Sequence, residues 1–102
     1  MQKKVNNFNS KNLIIPLLPI SRIADILSEV GELSKEVLKA TDYGTKDFEV
    51  TDDFVLEYGD VLYSLLSMAQ ECGINPDLAL EQTILKYSKR IAKNGTMGSE
   101  GD

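Results

Sequence analysis

Two short runs, Glu29-Val30-Gly31-Glu32 and Glu57-Tyr58-Gly59-Asp60, set acidic residues three positions apart. In a helix, that spacing puts both carboxylates on adjacent turns of one face, with Cβ atoms ~5–6 Å apart. Like charges so close repel, and neither run holds a Lys or Arg to relieve them. The acids also border apolar positions: Glu29 adjoins Ile26, Val30 and Leu33, and Asp60 adjoins Leu56 and Val61. Two such helices packed antiparallel would bring four carboxylates into one cleft. Four converging negative charges need compensation, which a divalent cation supplies. Ligands that are all oxygen select a hard ion, Mg²⁺ first and Mn²⁺ second. Equally spaced acids also occur on solvated faces of acidic helices, so spacing alone leaves both readings open. Gly31 and Gly59 each cost ~1 kcal/mol against Ala inside a helix, and a close helix approach is the expected motive.

A second group is basic. Lys86, Lys89, Arg90 and Lys93 recur at steps of three and four and form one positive face. Cations near a helix C-terminus gain ~0.3–1 kcal/mol from the dipole, which is one reading of the stripe. The other is a phosphate clamp. A carboxylate-held Mg²⁺ beside Lys and Arg is what phosphoryl chemistry requires, since both neutralise developing charge. The chain has no histidine, which excludes a His base, nucleophile or metal ligand. The one cysteine, Cys72, has no neighbouring base in sequence and reads as a buried thiol. Tyr63 and Tyr87 read as core or edge aromatics, and Ser64 and Ser67 as small packing residues.

Three helices must position these groups. From Ser21, a plausible N-cap behind Pro19, the residues Ile23, Ile26, Leu27, Val30, Leu33, Val37 and Leu38 make an apolar stripe at helical spacing. Asp42, Tyr43 and Gly44 end it. Thr51 or Asp52 caps the next helix, which carries Phe54, Tyr58, Val61, Leu62, Leu65, Leu66, Met68 and Ala69 on more than one face. It is expected to be buried on two sides and to end at Cys72–Gly73. Asn75-Pro76 then starts a helix running to about Lys93, with Leu80, Ile84, Leu85, Ser88 and Ile91 facing inward. Met1–Lys11 is Asn-rich and reads as a frayed lead-in, and Asn12–Ile20 as an extended segment packed on the body. The domain boundaries expected are therefore 1–20 for an extended or partly disordered segment, 21–94 for a single helical domain, and 95–102 for a disordered tail.

Length and composition bound the rest. A chain of 102 residues holds at most one domain. With 42% hydrophobic and 26% charged residues it is an ordinary globular sequence. Its 16 acids against 11 bases give a net charge of -5, which disfavours binding to nucleic acid. The longest apolar run, Leu13–Leu18, is far short of ~20 residues, so no membrane span is expected. One cysteine excludes an intrachain disulfide and makes a cytoplasmic location the simplest reading. Three helices with a broad apolar surface ask for more burial than one copy offers, so an all-α bundle completed by homo-oligomerisation is expected.

Ser28-Glu29-Val30-Gly31-Glu32-Leu33, then Glu57-Tyr58-Gly59-Asp60-Val61-Leu62-Tyr63, Gly73-Ile74-Asn75-Pro76 and Lys86-Tyr87-Ser88-Lys89-Arg90 together resemble the MazG-like nucleoside triphosphate pyrophosphohydrolases, of the all-α NTP pyrophosphatase superfamily. The resemblance covers about 21–93. It implies Mg²⁺-dependent cleavage of a (deoxy)nucleoside triphosphate to monophosphate and pyrophosphate. It implies that Glu29, Glu32, Glu57 and Asp60 ligate the metal, one acting as base for the attacking water. It implies that Lys86 and Arg90, with Lys89, hold phosphate oxygens, and that the protein is a homodimer or homotetramer. Where the family pattern begins with an acid this chain has Ser28, and Glu36, one turn beyond Glu32, is a candidate replacement. Two alternatives remain: a phosphoribosyl-ATP pyrophosphohydrolase-like enzyme, and a non-catalytic nucleotide-binding or helical interaction protein.

Overall fold

The computed structural model describes residues 1–98. Four helices occur among them, and no strand: α1 (Gln2–Lys11), α2 (Pro19–Ala40), α3 (Asp52–Cys72) and α4 (Pro76–Asn94). The all-α expectation is met. Part of the tail expected over 95–102, residues 99–102, lies outside the described residues.

Local chemistry explains most boundaries. The side chain of Thr51 accepts the Phe54 N–H at 3.0 Å, and that of Asn75 accepts the Leu78 N–H at 3.1 Å. Each satisfies a backbone donor that the first helical turn leaves open. Gly73 and Gly95 end α3 and α4 in the left-handed region, at φ 68° and 74°, where a Cβ would be strained. The start of α2 differs from expectation. Pro19 is its first helical residue and Leu18 its cap, so Ser21 lies inside the helix. Proline's fixed φ and missing N–H suit that first position.

The frayed lead-in is instead a helix. α1 docks on α3 mainly through amides. Asn9, buried, donates to Gln70 Oε1 at 2.9 Å and to Ser67 Oγ at 3.3 Å, and accepts the Tyr63 hydroxyl at 2.6 Å. Gln2 donates to the Leu66 carbonyl at 2.7 Å. The Phe8 ring meets Tyr63 edge-on, with centroids 6.0 Å apart. A polar helix held this way shows no apolar stripe in its sequence. The following segment, 12–18, is irregular; its Leu17 N–H donates to Glu71 of α3 at 2.9 Å, but Leu13, Ile15 and Leu18 stay exposed, so its apolar side chains are not packed on the body as expected.

α2 and α3 form the main contact, an antiparallel hairpin closed by the 41–51 loop. With α1 on another face, α3 is covered from two directions, as its composition suggested. The apolar core is small: Ile26, Leu66 and Ala69 are the buried hydrophobic side chains among the described residues. α4 barely touches the other helices. Leu80, Ile84, Leu85 and Ile91, expected to face inward, stay half-exposed. Cys72 is exposed, not buried, because it falls at the last residue of α3, next to the Gly73 cap. No heavy atom lies within 4 Å of a Cβ built on Gly31 or Gly59, so within one chain these glycines mark no close helix approach.

Candidate functional site

The α2–α3 hairpin carries polar and charged groups along its seam. Residues on the inner face of α2 at steps of three, four and seven, Arg22, Asp25, Glu29 and Glu36, look across at Glu71, Ser64, Asp60 and Glu57 of α3. In the middle, carboxylate oxygens of Glu29, Glu57 and Asp60 lie within 4.8 Å of one another. The two glutamates are half-buried and Asp60 is exposed. Burial, and then the neighbouring charges of Asp60, Asp25 and Glu32, raise the proton affinity of Glu29. Burial, and then Asp60, Glu32, Glu29 and Glu36, do the same for Glu57. Ionised groups crowd at this place without local relief.

Three of the four expected ligands thus converge. Glu32 stands aside, its carboxylate 3.2 Å from Lys35 Nζ, in a pair exposed to solvent. A one-turn ion pair of that kind is worth ~0.3–0.5 kcal/mol, so a stronger attraction would release it. Glu32 is still close enough to act on Glu57. Oxygens around a hard cation, each ~2.0–2.6 Å from it, stand up to about 4–5 Å apart. The spacing of Glu29, Glu57 and Asp60 fits that requirement, with all-carboxylate donors suited to Mg²⁺ or Mn²⁺.

Sequence reasoning named Glu36 but missed its partner Lys39 and the whole of the other end of the seam. At one end Arg22, 5% exposed, donates to both oxygens of Glu71 at 2.9 and 2.7 Å and to Asp25 at 2.8 Å. Its bond to Glu71 holds that carboxylate below the ordinary range. A hydrogen bond from Ser64, followed by the one from Arg22, does so for Asp25. At the other end Lys39 bonds Glu36 at 3.2 Å, and the pair holds the ammonium charged, with Asp53 and Glu57 adding to the effect. The only signal in the sequence is an unusual one, basic residues at the edges of an otherwise acidic face.

Lys86, Lys89 and Arg90 sit apart. With Gln82, Leu85 and Lys93 they line an open cavity of about 340 Å³ along α4. Lys86 and Arg90 flank the Tyr87 ring at 5.1 and 5.9 Å, and Arg90 also donates to the Met97 carbonyl at 3.2 Å. The charges that raise Glu29 and Glu57 are carboxylates, and α4, which carries the basic stripe, barely touches the other helices. One chain therefore does not join the basic stripe to the acidic site.

No helix among the described residues is long and apolar enough to cross a membrane. No family model matches the chain. It is 31% identical, over 86 residues, to the uncharacterised protein YpjD of Bacillus subtilis (strain 168), covering 81% of this chain and 76% of that protein. It also superposes on the crystal structure of YpjD from Bacillus subtilis, provisionally named a pyrophosphatase. That match has a TM-score of 0.71 and 27% identity, and covers 87% of this chain and 90% of the other. A shared helical fold and this identity over most of both chains lead to one conclusion: the chain belongs to the YpjD family.

Proposed function

We propose that this protein is a divalent-cation-dependent nucleoside triphosphate pyrophosphohydrolase, releasing pyrophosphate and a nucleoside monophosphate. The observation that carries the reading is the convergence of Glu29, Glu57 and Asp60 on one point of the hairpin. A pyrophosphatase designation for the similar Bacillus structure supports it. Glu29, Glu57 and Asp60 hold the cation, Mg²⁺ or Mn²⁺, and Glu32 joins them by leaving Lys35. When bound, the ion polarises the phosphate and makes a bound water more acidic. A carboxylate of the same face takes the proton of the attacking water. Burial has already raised the basicity of Glu29 and Glu57, which suits that task. Lys86, Lys89 and Arg90 hold phosphate oxygens.

In this reading a second copy of the chain completes the site. The basic stripe of α4 is complementary in charge to the acidic seam, yet stands away from it in one chain. The half-exposed apolar side chains of α4 give a partner something to cover. The oligomer is a homodimer or a dimer of dimers.

Pyrophosphate release from a panel of nucleoside triphosphates, with and without Mg²⁺, tests the activity. Release is expected only with the cation. Glu29→Gln and Asp60→Asn should each abolish it while helicity persists. Wild-type rates in either variant would overturn the assignment. Phosphoribosyl-ATP belongs in the panel, because exclusive turnover of it would select the related enzyme. Mixing inactive Glu57→Gln chains with inactive Arg90→Ala chains should restore part of the rate if the two charges act from different copies.

A further inference from the structure

We propose that Arg22 is the positioning residue of the carboxylate site: by gripping Glu71 with two parallel bonds and Asp25 with a third, it fixes the register in which α2 presents Glu29 to Glu57 and Asp60. The inference rests on reading those three acids as a cation site.

Arg22 is the charged side chain most removed from solvent among the described residues. Burying a guanidinium is costly unless every edge is met. Here Nε and Nη2 reach the two oxygens of Glu71 at 2.9 and 2.7 Å, and Nη1 reaches Asp25 at 2.8 Å. Glu71 is itself fixed by the Leu17 N–H at 2.9 Å. Buried pairs of this kind seldom stabilise more than apolar side chains of like volume, and specifying register is their best-attested use.

The hairpin needs such a device. On α2, Ile26 is the one buried hydrophobic side chain, and two of the four buried residues of α3 are the small Ser64 and Ser67. The centre of the seam holds three acids that repel each other. A slip of α2 along α3 by one turn, about 5.4 Å, would ease that repulsion at little apolar cost. It would also tear the Arg22–Glu71 fork apart, because a planar fork bonds a carboxylate in one alignment. Asp25 carries the constraint inward. It lies one turn before Glu29, and its carboxylate accepts from Ser64, one turn after Asp60.

The test separates register from stability. In Arg22→Met/Glu71→Leu the two most buried charges leave together, and Asp25, part-exposed and still bonded by Ser64, keeps one of its partners. Mn²⁺ binding to the full-length protein, read from the loss of the free-ion resonance, should weaken ten-fold or more, while helicity and the metal-free melting temperature stay near wild type. Arg22→Lys keeps the charge and loses the fork, and should weaken Mn²⁺ binding to a smaller extent. Wild-type Mn²⁺ affinity in a folded double variant overturns the proposal. Should the double variant not fold, Arg22→Lys decides, and unchanged affinity there overturns it as well. A wild-type protein that binds no Mn²⁺ removes the cation-site reading itself, an outcome distinct from the variants matching a wild type that binds.

Discussion

Glu29 and Glu57 bind protons more tightly than free glutamates, and Asp25 and Glu71 more weakly. The two sets pull stability in opposite directions with pH. A carboxyl whose folded pKa is raised costs the fold once ionised, and that cost vanishes as pH falls through the raised value. A carboxyl whose folded pKa is lowered stabilises the fold above its unfolded value, near 4, and that contribution is lost as pH falls through the lowered value. The metal-free protein should therefore melt highest somewhat on the acid side of neutrality, then lose stability steeply below about pH 4. Adding Mg²⁺ should move the maximum back toward neutrality, because the cation competes with protons for Glu29 and Glu57. Melting curves across the acid range, with and without Mg²⁺, check both statements. Of these residues, Glu57 and Asp60 share a helix face because they stand three positions apart, as the spacing predicts, whereas their approach to Glu29 of α2 depends on how the two helices pack. Arg22 and Glu71 were not legible from spacing, because their meaning depends on a partner 49 positions away. Glu32 was expected in the cluster, but Lys35, one turn on, is its nearer attraction.

At the scale of the element, helix ends were readable where a side chain or glycine marks them. Thr51, Asn75-Pro76, Gly73 and Gly95 all act as their types dictate. α1 was not readable, since a helix held by Asn9, Gln2 and Tyr63 leaves no apolar period to detect. Removing the hub of that network should show its weight. Asn9→Ala strands the groups around it and should cost about 1–3 kcal/mol, as for other buried hydrogen-bond partners, read from urea denaturation. Thr51→Ala removes an exposed cap and should cost about 1 kcal/mol. A smaller loss for Asn9→Ala than for Thr51→Ala would mean that α1 is only loosely docked.

The whole chain is open. Its radius of gyration is 17.0 Å, against about 13 Å for a compact chain of this length. α4, which barely touches the other helices, contributes to that extension, whereas the sequence pattern placed its apolar residues facing inward. If α4 joins the copies as proposed, Ile84→Asp, which places a charge on the α4 face while leaving the hairpin untouched, should keep the chain helical and reduce the wild-type oligomer to a monomer by light scattering. Under the composite-site reading that monomer releases no pyrophosphate. The small core has a consequence of its own. Among the described residues Ile26, Leu66 and Ala69 are the buried apolar side chains, so if copies associate as proposed, a chain diluted from the others has little to hold it folded. Under that assembly its melting temperature should climb with protein concentration, and the amount of functional protein in a cell should fall faster than in proportion when synthesis is cut back.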